Sequence, residues 1–326
     1  MIRSAIFTVL LALASQSASA DVREDVEARI LPGYADFVAA TRALAAADCS
    51  SGAMRAPWNA AFDAWLGVAH LRFGPVETEG RALAIAFWPD PKSIGARQIR
   101  AVVEAEDVAL LLPGALAEVS VAARGLFALE RLLYGDRATD AAYTCALRRA
   151  LAADLAGMAR GTRAEWDGFA ALLQSAGAVE NTVYLSPDEA RQALFTQLVA
   201  GLEFNADQRL GRPLGSFEHP RPERAEALAS GRSLRNLQIS LRALQGFARA
   251  LAEGVGPIPQ TEAAFARALE KVAELDDPVF ASVVAPSGRF RVEIVQQAVG
   301  QVKAAALVEL GPLLGVSAGF NAADGD

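Results

Sequence analysis

Residues 234–251, LRNLQISLRALQGFARAL, carry the pattern that decides the fold of this chain. Their apolar side chains recur with the alternating three- and four-residue spacing of a heptad, which places them along one face of an α-helix. The members of this face are Leu234, Leu237, Leu241, Leu244, Ala248 and Leu251. An apolar face of this kind needs a neighbouring helix to cover it. The stretch therefore predicts one helix of a bundle.

A second apolar face lies in residues 58–69, WNAAFDAWLGVA, where the large side chains again return at helical spacing. Strand-like alternation is almost absent from the chain, so we expect an all-α protein. A chain of 326 residues exceeds the size at which one core usually keeps growing. The helical pattern lapses between residues 174 and 185. Ser186-Pro187-Asp188-Glu189 then has the features of a helix start, with a Ser cap, Pro at the first position and Glu three residues after the cap. We therefore expect two helical-bundle domains packed side by side, residues 21–180 and 181–326.

The first 20 residues have the pattern of a cleavable signal peptide. Arg3 precedes an uncharged apolar run, and Ala18-Ser19-Ala20 supplies the small residues that signal peptidase accepts. The run is shorter than the ~20 residues that span a bilayer, and no other uncharged stretch approaches that length. The sequence predicts cleavage after Ala20 and a soluble protein in the periplasm, without membrane insertion.

Charge and cysteine content narrow the class of protein further. Arg3 is one of the 31 Lys and Arg residues, so cleavage after residue 20 changes the net charge from −7 to −8. An acidic protein of this kind is a poor match for nucleic acid or anionic membrane as its main partner. The only cysteines are Cys49 and Cys145, and an oxidising compartment favours a disulfide between them. The alternative is two buried free thiols.

Several segments, in order along the chain, resemble the signatures of one family. They are Leu71-Arg72-Phe73-Gly74-Pro75, Phe87-Trp88-Pro89-Asp90, Gly211-Arg212-Pro213-Leu214-Gly215, Ser230-Gly231-Arg232-Ser233-Leu234 and the C-terminal run 314–326. Together these segments resemble the imelysin-like family, the M75 peptidase-type domain. The resemblance implies two packed helical bundles and a role tied to iron uptake.

The resemblance also identifies a motif that departs from its family. The family motif is Gly-x-His-x-x-Glu on a helix, and the matching segment here is Gly125-Leu126-Phe127-Ala128-Leu129-Glu130. Phe127 stands where the family has histidine, and phenylalanine has no lone pair to give to a metal ion. A zinc peptidase needs about three protein ligands and a bound water. We see no such set and assign no catalytic residue.

Glu130 is unusual apart from any family. Leu116, Val119, Ala123, Leu126, Glu130 and Leu133 keep heptad spacing, which puts one carboxylate on an apolar face. A buried carboxylate must be paired, hydrogen-bonded or protonated. We therefore expect Glu130 either to face a pocket as a ligand or metal contact, or to form a buried ion pair with Arg72 or Arg124.

Three further candidates follow the first apolar face. We expect Trp65 to pack in the core. His70 lies five positions later, and a lone histidine is commonly a helix-end or core hydrogen-bonder, although a ligand role stays open. Arg72 is expected either to bind an anionic ligand or to pair with Glu77 or Glu130.

The remaining candidates are Phe127, Asp90 and the two aspartates at the C-terminus. Phe127 is expected to be core, with a pocket wall as the alternative. Asp90, before Pro91, is expected to be a turn or helix-cap residue, and a pocket role for it rests on the family resemblance. Asp324 and Asp326, with the terminal carboxylate, gather oxygen ligands that suit a hard cation. The alternative for them is a solvated acidic tail.

Three functions follow from these observations. The first is a non-catalytic binding or accessory protein associated with iron or haem acquisition, with its ligand between the two domains near Glu130. The second is a metal-dependent peptidase, and the third is an interaction scaffold for an envelope redox or transport partner. Iron or another divalent metal is the cofactor that the resemblance brings into consideration, and an envelope iron-uptake or redox protein is the expected partner.

Overall fold

The described part of the chain is mostly helical and contains no β-strand. The computed structural model describes Val22, residues 26–135 and residues 138–316. The longer helices are α1 (Leu31–Ala46), α2 (Ser51–Val68), α3 (Ile94–Ala105), α4 (Gly125–Tyr134), α5 (Ala142–Gln174), α6 (Pro187–Glu203), α7 (Ser233–Ala252), α8 (Pro259–Ala273) and α9 (Pro286–Val308). The predicted all-α fold is confirmed. The predicted signal peptide, Asp324 and Asp326 lie outside the described residues.

Shorter helical pieces connect these elements. Three are α-helical, namely Arg81–Ile85, Gly211–Leu214 and Leu310–Leu314, and two are π-helical, Val26–Ile30 and Phe204–Leu210. The 3₁₀ turns are Gly74–Val76, Thr78–Gly80, Val108–Leu111, Ala115–Glu118, Val121–Ala123, Pro222–Arg224 and Ala281–Val284. Among all these described helices, none has the combination of length and apolar character that crossing a membrane requires.

The helices before residue 175 pack around one aromatic-rich core. Helix α1 lies against α2 and α5, and α4 lies against both α2 and α5. The largest fully buried side chains of this part include Tyr34, Phe37, Trp58, Phe62 and Trp166. Trp65 is buried beside Phe37, with the ring centroids 5.4 Å apart, so its predicted packing role is confirmed.

The helices after residue 186 form a second packed set in which α7 contacts α6 and α8, and α9 contacts α6 and α8. The apolar face of α7 is buried from Leu237 to Leu251 as the heptad spacing predicts, and Leu234 is partly buried at its start. Helix α7 also packs against α2, which joins the two sets. The domain boundary at residue 180 falls in the connection between α5 and α6 and stays a prediction.

Two local predictions can be compared with the backbone. Helix α6 starts as predicted, because the Ser186 hydroxyl accepts the N–H of Glu189 at 3.3 Å and Glu189 Oε2 accepts the N–H of Leu185 at 2.6 Å. The heptad spacing from Leu116 to Leu133 does not form one helix. Its first half lies in two 3₁₀ turns, and α4 begins only at Gly125.

The predicted disulfide joins Cys49 and Cys145. Cys49 follows the end of α1 and Cys145 lies in the first turn of α5, with 5.0 Å between the two Cα atoms and 96 positions between them in sequence. The alternative of two free thiols is therefore wrong.

Candidate functional site

Glu130 lies on α4 with only 5% of its surface exposed. Ser230, just before α7, donates two hydrogen bonds to Oε1 of Glu130, one from its backbone N–H at 3.0 Å and one from its hydroxyl at 2.7 Å. No described residue donates to Oε2. Burial raises the pKa of the Glu130 carboxyl, and the hydrogen bonds from Ser230 oppose that rise.

The predicted ion pairs of Glu130 are not formed. Arg124 pairs instead with Asp154, with Nη2 and Oδ1 2.8 Å apart. Arg72 lies in a different cavity, described below. The prediction of a buried ion pair is wrong because a serine 100 positions away in sequence satisfies the carboxylate, a contact that no local pattern encodes.

A pocket of about 390 Å³ lies beside Glu130, between the two sets of helices. Trp88 and Phe127 form part of its wall. The charged side chains that line it are Asp90, Glu130 and Arg131 from the N-terminal part and Arg212, Glu223 and Arg224 from the C-terminal part. Phe127 is 3% exposed and packs edge-on against Phe62, so it contributes both to the core and to the pocket wall.

The side chain of Asp90 caps the N-terminus of α3 from three positions before Ser93, the residue that precedes the helix. Its carboxylate accepts the backbone N–H of Ile94 at 2.7 Å and that of Gly95 at 2.8 Å. Arg131 approaches the same carboxylate at 3.4 Å and also donates to the carbonyl of Phe127 at 2.9 Å. The helix-cap interpretation of Asp90 is thus the one observed, and this cap forms one side of the pocket.

Gly125 has a structural reason to be glycine. Its φ is +67°, in the left-handed region that glycine tolerates best. A Cβ placed there would lie 2.2 Å from the carbonyl oxygens of both Ala84 and Ile85. This close approach lets α4 begin against the preceding segment, and so it positions Phe127 and Glu130 at the pocket.

His70 and Arg72 line a second cavity, of about 430 Å³. Its wall also includes Gln197 and Phe204 from the C-terminal part of the chain. Trp88, in the wall of the first pocket, packs edge-on against Phe204, with the ring centroids 5.8 Å apart. The predicted site residues therefore divide between two cavities: Asp90, Phe127 and Glu130 surround one, and His70 and Arg72 surround the other.

His70 is buried and neutral. Desolvation, together with the nearby guanidinium groups of Arg209 and Arg72, lowers the pKa of its imidazole to about 3. Neither ring nitrogen makes a hydrogen bond with a described residue, and Nδ1 is fully buried. The ring packs on Phe247 at a centroid distance of 5.0 Å.

Arg209, which also lines this cavity, forms a buried ion pair with Glu226. Nε of Arg209 lies 2.7 Å from Oε2 of Glu226, and Nη2 lies 3.2 Å from Oε1. Nη1 donates to Asn205 at 2.9 Å and to Ser240 at 3.0 Å. Both charges are satisfied within the C-terminal part. These residues could not be recognised from the sequence, because they lie far apart in it and form no short motif.

A charged contact between α2 and the start of α7 joins the two parts of the chain. Arg232 and Arg235 both pair with Asp63. The Arg232 guanidinium also lies 4.6 Å from the centroid of the Phe62 ring and 5.5 Å from that of Trp58. Ser230 and Arg232, two positions apart, therefore connect the segment before α7 to α4 and α2.

The residues around Glu130 do not fit a resident metal ion. Phe127 offers no lone pair, Glu130 accepts two hydrogen bonds through Oε1, and Asp90 caps a helix. Within Val22, 26–135 and 138–316, no three His, Cys, Asp or Glu side chains form a group that could hold one. What the pocket offers a ligand is a set of arginines, one buried carboxyl and aromatic walls.

Comparison with known proteins finds a relative in sequence and solved structures that are similar to this chain. Iron-regulated protein A of Synechococcus elongatus is 24% identical over 273 residues, which cover 77% of this chain and 71% of that protein. An imelysin-like protein from Psychrobacter arcticum has the same fold, with a TM-score of 0.77 at 20% identity over 93% of this chain and 98% of that one.

A second solved structure, of a candidate iron-regulated protein A precursor from Parabacteroides distasonis, has a TM-score of 0.71 at 14% identity over 92% of this chain and 94% of that one. At these identities the two structures establish the fold alone. The sequence model of the imelysin (peptidase M75) family matches residues 30–306, most of the chain. The chain therefore belongs to the imelysin family.

Proposed function

We propose that this chain is a periplasmic binding protein that assists iron acquisition without catalysing a reaction, and that its ligand binds in the pocket beside Glu130. The name of the Synechococcus relative associates that protein with iron regulation. The predicted signal peptide and the disulfide between Cys49 and Cys145 both suit an oxidising envelope compartment.

The observation that carries the proposal is the charge of the pocket. Arg212 and Arg224 line it and form no ion pair with a carboxylate of the described residues, whereas Asp90 and Glu130 already accept hydrogen bonds from the protein. Glu223, the third carboxylate of the wall, lies 3.8 Å from Arg221. Burial lowers the pKa of Arg212, and repulsion from Arg224 adds to that effect. Two adjacent unpaired guanidinium groups favour an anionic ligand.

We therefore expect the cargo to be an iron-bearing anion, such as haem with its carboxylates or a ferric carboxylate chelate. Arginine binds carboxylates with two parallel hydrogen bonds, which gives both affinity and orientation. Trp88 and Phe127 supply an apolar surface in the wall of the same pocket. A bare metal ion would find no comparable set of ligands there.

The test uses the full chain, produced in a bacterium with its own N-terminus and purified from the periplasm. Mass spectrometry should find a protein that begins at Asp21. Absorbance titration with haem and with ferric citrate should show saturable binding of one of them. The double variant Arg212→Gln/Arg224→Gln should weaken that binding at least about tenfold, because a hydrogen bond to a charged group is worth about 1.5–3 kcal/mol.

Arg163→Gln is the matched control, since Arg163 lies on α5 and pairs with Asp167 on an exposed surface. It should bind like the wild type. Absence of saturable binding of both iron compounds would refute the iron proposal. Metal-dependent cleavage of casein that disappears in Glu130→Gln would refute the non-catalytic one.

A further inference from the structure

Arg72 is a partly buried cation for which the described residues supply no counterion. Its backbone N–H donates to Oε1 of Gln197 at 2.8 Å, and Nε donates to the carbonyl of Ala69 at 2.9 Å. Its two Nη atoms, which form the outer end of the guanidinium, make no hydrogen bond or ion pair with a described residue. A desolvated charge without a partner is energetically costly, and binding of an anion would remove that cost.

Neither of the carboxylates near Arg72, those of Glu226 and Glu77, forms an ion pair with it. Glu226 is engaged by Arg209 through both of its oxygens. Glu77 lines the cavity, but its side chain is exposed and forms no ion pair with Arg72. Burial lowers the pKa of Arg72, and Arg209 lowers it further. The guanidinium of arginine nevertheless stays protonated at neutral pH, so Arg72 carries a positive charge.

The cavity also offers neutral polar groups and an apolar wall. His70 contributes an imidazole with two unpaired nitrogens, and Thr196, on α6, also lines the cavity. Phe204 and Ala200 form the apolar part of the wall. The volume of about 430 Å³ is within the range of small-molecule sites.

The orientation of Arg72 is fixed by aromatic neighbours. Its Cζ atom lies 5.9 Å from the ring centroid of Trp65 and 5.9 Å from that of Phe204. Arg209 lies 4.9 Å from the same Phe204 ring. Rings placed in this way hold a guanidinium through cation–π attraction and leave its hydrogen-bonding edge for a ligand.

We propose that this cavity is a second binding site, for a small organic molecule that carries a carboxylate on an apolar body. The Nη atoms of Arg72 bind the carboxylate, and the apolar body lies against Phe204 and Ala200. His70 donates or accepts a hydrogen bond as a neutral imidazole. The site does not depend on the iron-ligand pocket, because Trp88 and Phe204 lie between the two cavities.

Calorimetric titration of the full purified chain tests this site, with benzoate as the probe and benzamide as its neutral analogue. Benzoate should bind at least about tenfold more tightly than benzamide, and Arg72→Gln should weaken benzoate binding by at least a similar factor. Arg72→Lys keeps the positive charge but loses the bidentate geometry of the guanidinium, so its affinity for benzoate should lie between those of the wild type and Arg72→Gln. Glu77→Gln should bind benzoate as tightly as the wild type or more tightly.

Arg163→Gln should leave benzoate binding unchanged, and circular dichroism should show that each variant is folded. If Arg72→Gln does not fold, the comparison of benzoate with benzamide on the wild type decides the question. Equal affinity for benzoate and benzamide would overturn the proposal, as would unchanged binding in folded Arg72→Gln. Inorganic phosphate that binds as tightly as benzoate would overturn the assignment of an apolar body.

The proposal for the pocket beside Glu130 and the proposal for the Arg72 cavity can be refuted independently of each other. Haem or ferric citrate binding should be insensitive to Arg72→Gln, and benzoate binding should be insensitive to Arg212→Gln/Arg224→Gln. If either variant lost both the binding of the iron compound and the binding of benzoate, the two cavities would not be independent sites.

Discussion

Replacing His70 with phenylalanine should make this protein less sensitive to acid. The imidazole is buried and makes no hydrogen bond with a described residue, so it must remain neutral in the folded state. In the unfolded chain it takes up a proton near its ordinary pKa of 6.5, whereas in the folded protein the pKa is about 3. Acid therefore favours the unfolded chain.

The size of the effect follows from these two values. Because the folded-state pKa is depressed, the stability that comes from neutral His70 is fully present above pH 6.5 and is lost as the pH falls toward 3. Between pH 7 and pH 5 the loss is about 2 kcal/mol, and below pH 3 it approaches about 5 kcal/mol. Phenylalanine cannot titrate and keeps the contact with Phe247, so His70→Phe should lack this loss.

Denaturant unfolding at pH 8, 7, 6 and 5 is the measurement. The free energy of unfolding of wild type should fall by about 2 kcal/mol more than that of His70→Phe between pH 7 and pH 5. Glu130 acts in the opposite direction, since its raised pKa stabilises the fold at low pH, but it is present in both proteins and cancels in the comparison. His219→Phe is the control, because that side chain is exposed. Parallel pH profiles for wild type and His70→Phe would refute the reasoning.

Three further predictions concern the elements that hold the pocket. Gly125→Ala should lower the free energy of unfolding by about 3 kcal/mol or more, because Gly125 has a positive φ and a Cβ would lie 2.2 Å from two backbone oxygens. Gly168 lies in open space on α5, so Gly168→Ala should raise the free energy of unfolding by about 0.5–1 kcal/mol in the same denaturant assay. Cys49→Ala/Cys145→Ala should lower it by up to about 4–5 kcal/mol, as measured against the oxidised wild type, and a loss under about 1 kcal/mol would contradict this. Glu130→Gln keeps an acceptor for Ser230 but cannot ionise, so its stability relative to wild type should rise between pH 4 and pH 8, and a flat difference would mean that the carboxyl is not desolvated.

The features that the sequence predicted correctly are local. The capping box at the start of α6 involves residues within four positions of one another, and the apolar face of α7 repeats within one helix. Asp90 could be interpreted as a helix cap for the same reason. The heptad spacing before Gly125 wrongly predicted a continuous helix, because spacing alone does not show where a tight backbone approach interrupts one.

The partners of the site residues could not be predicted. Glu130 accepts hydrogen bonds from a residue 100 positions away, and Arg72 is separated by 125 positions from the glutamine that receives its N–H. Which charges meet across such distances depends on how the two sets of helices pack. The segment that resembles a family signature around Ser230 and Arg232 acquires a physical meaning only in the structure, where it contacts both α4 and α2.

The disulfide between Cys49 and Cys145 has a consequence for how the protein withstands proteases. His70, Arg72, Asp90 and Glu130 all belong to the stretch that this bond closes into a covalent ring. A protease that cuts the backbone once inside that ring releases no fragment, because both ends remain linked through sulfur. Such a nicked protein would migrate as one species on a non-reducing gel and as two after reduction, and its pockets would keep all their walls attached.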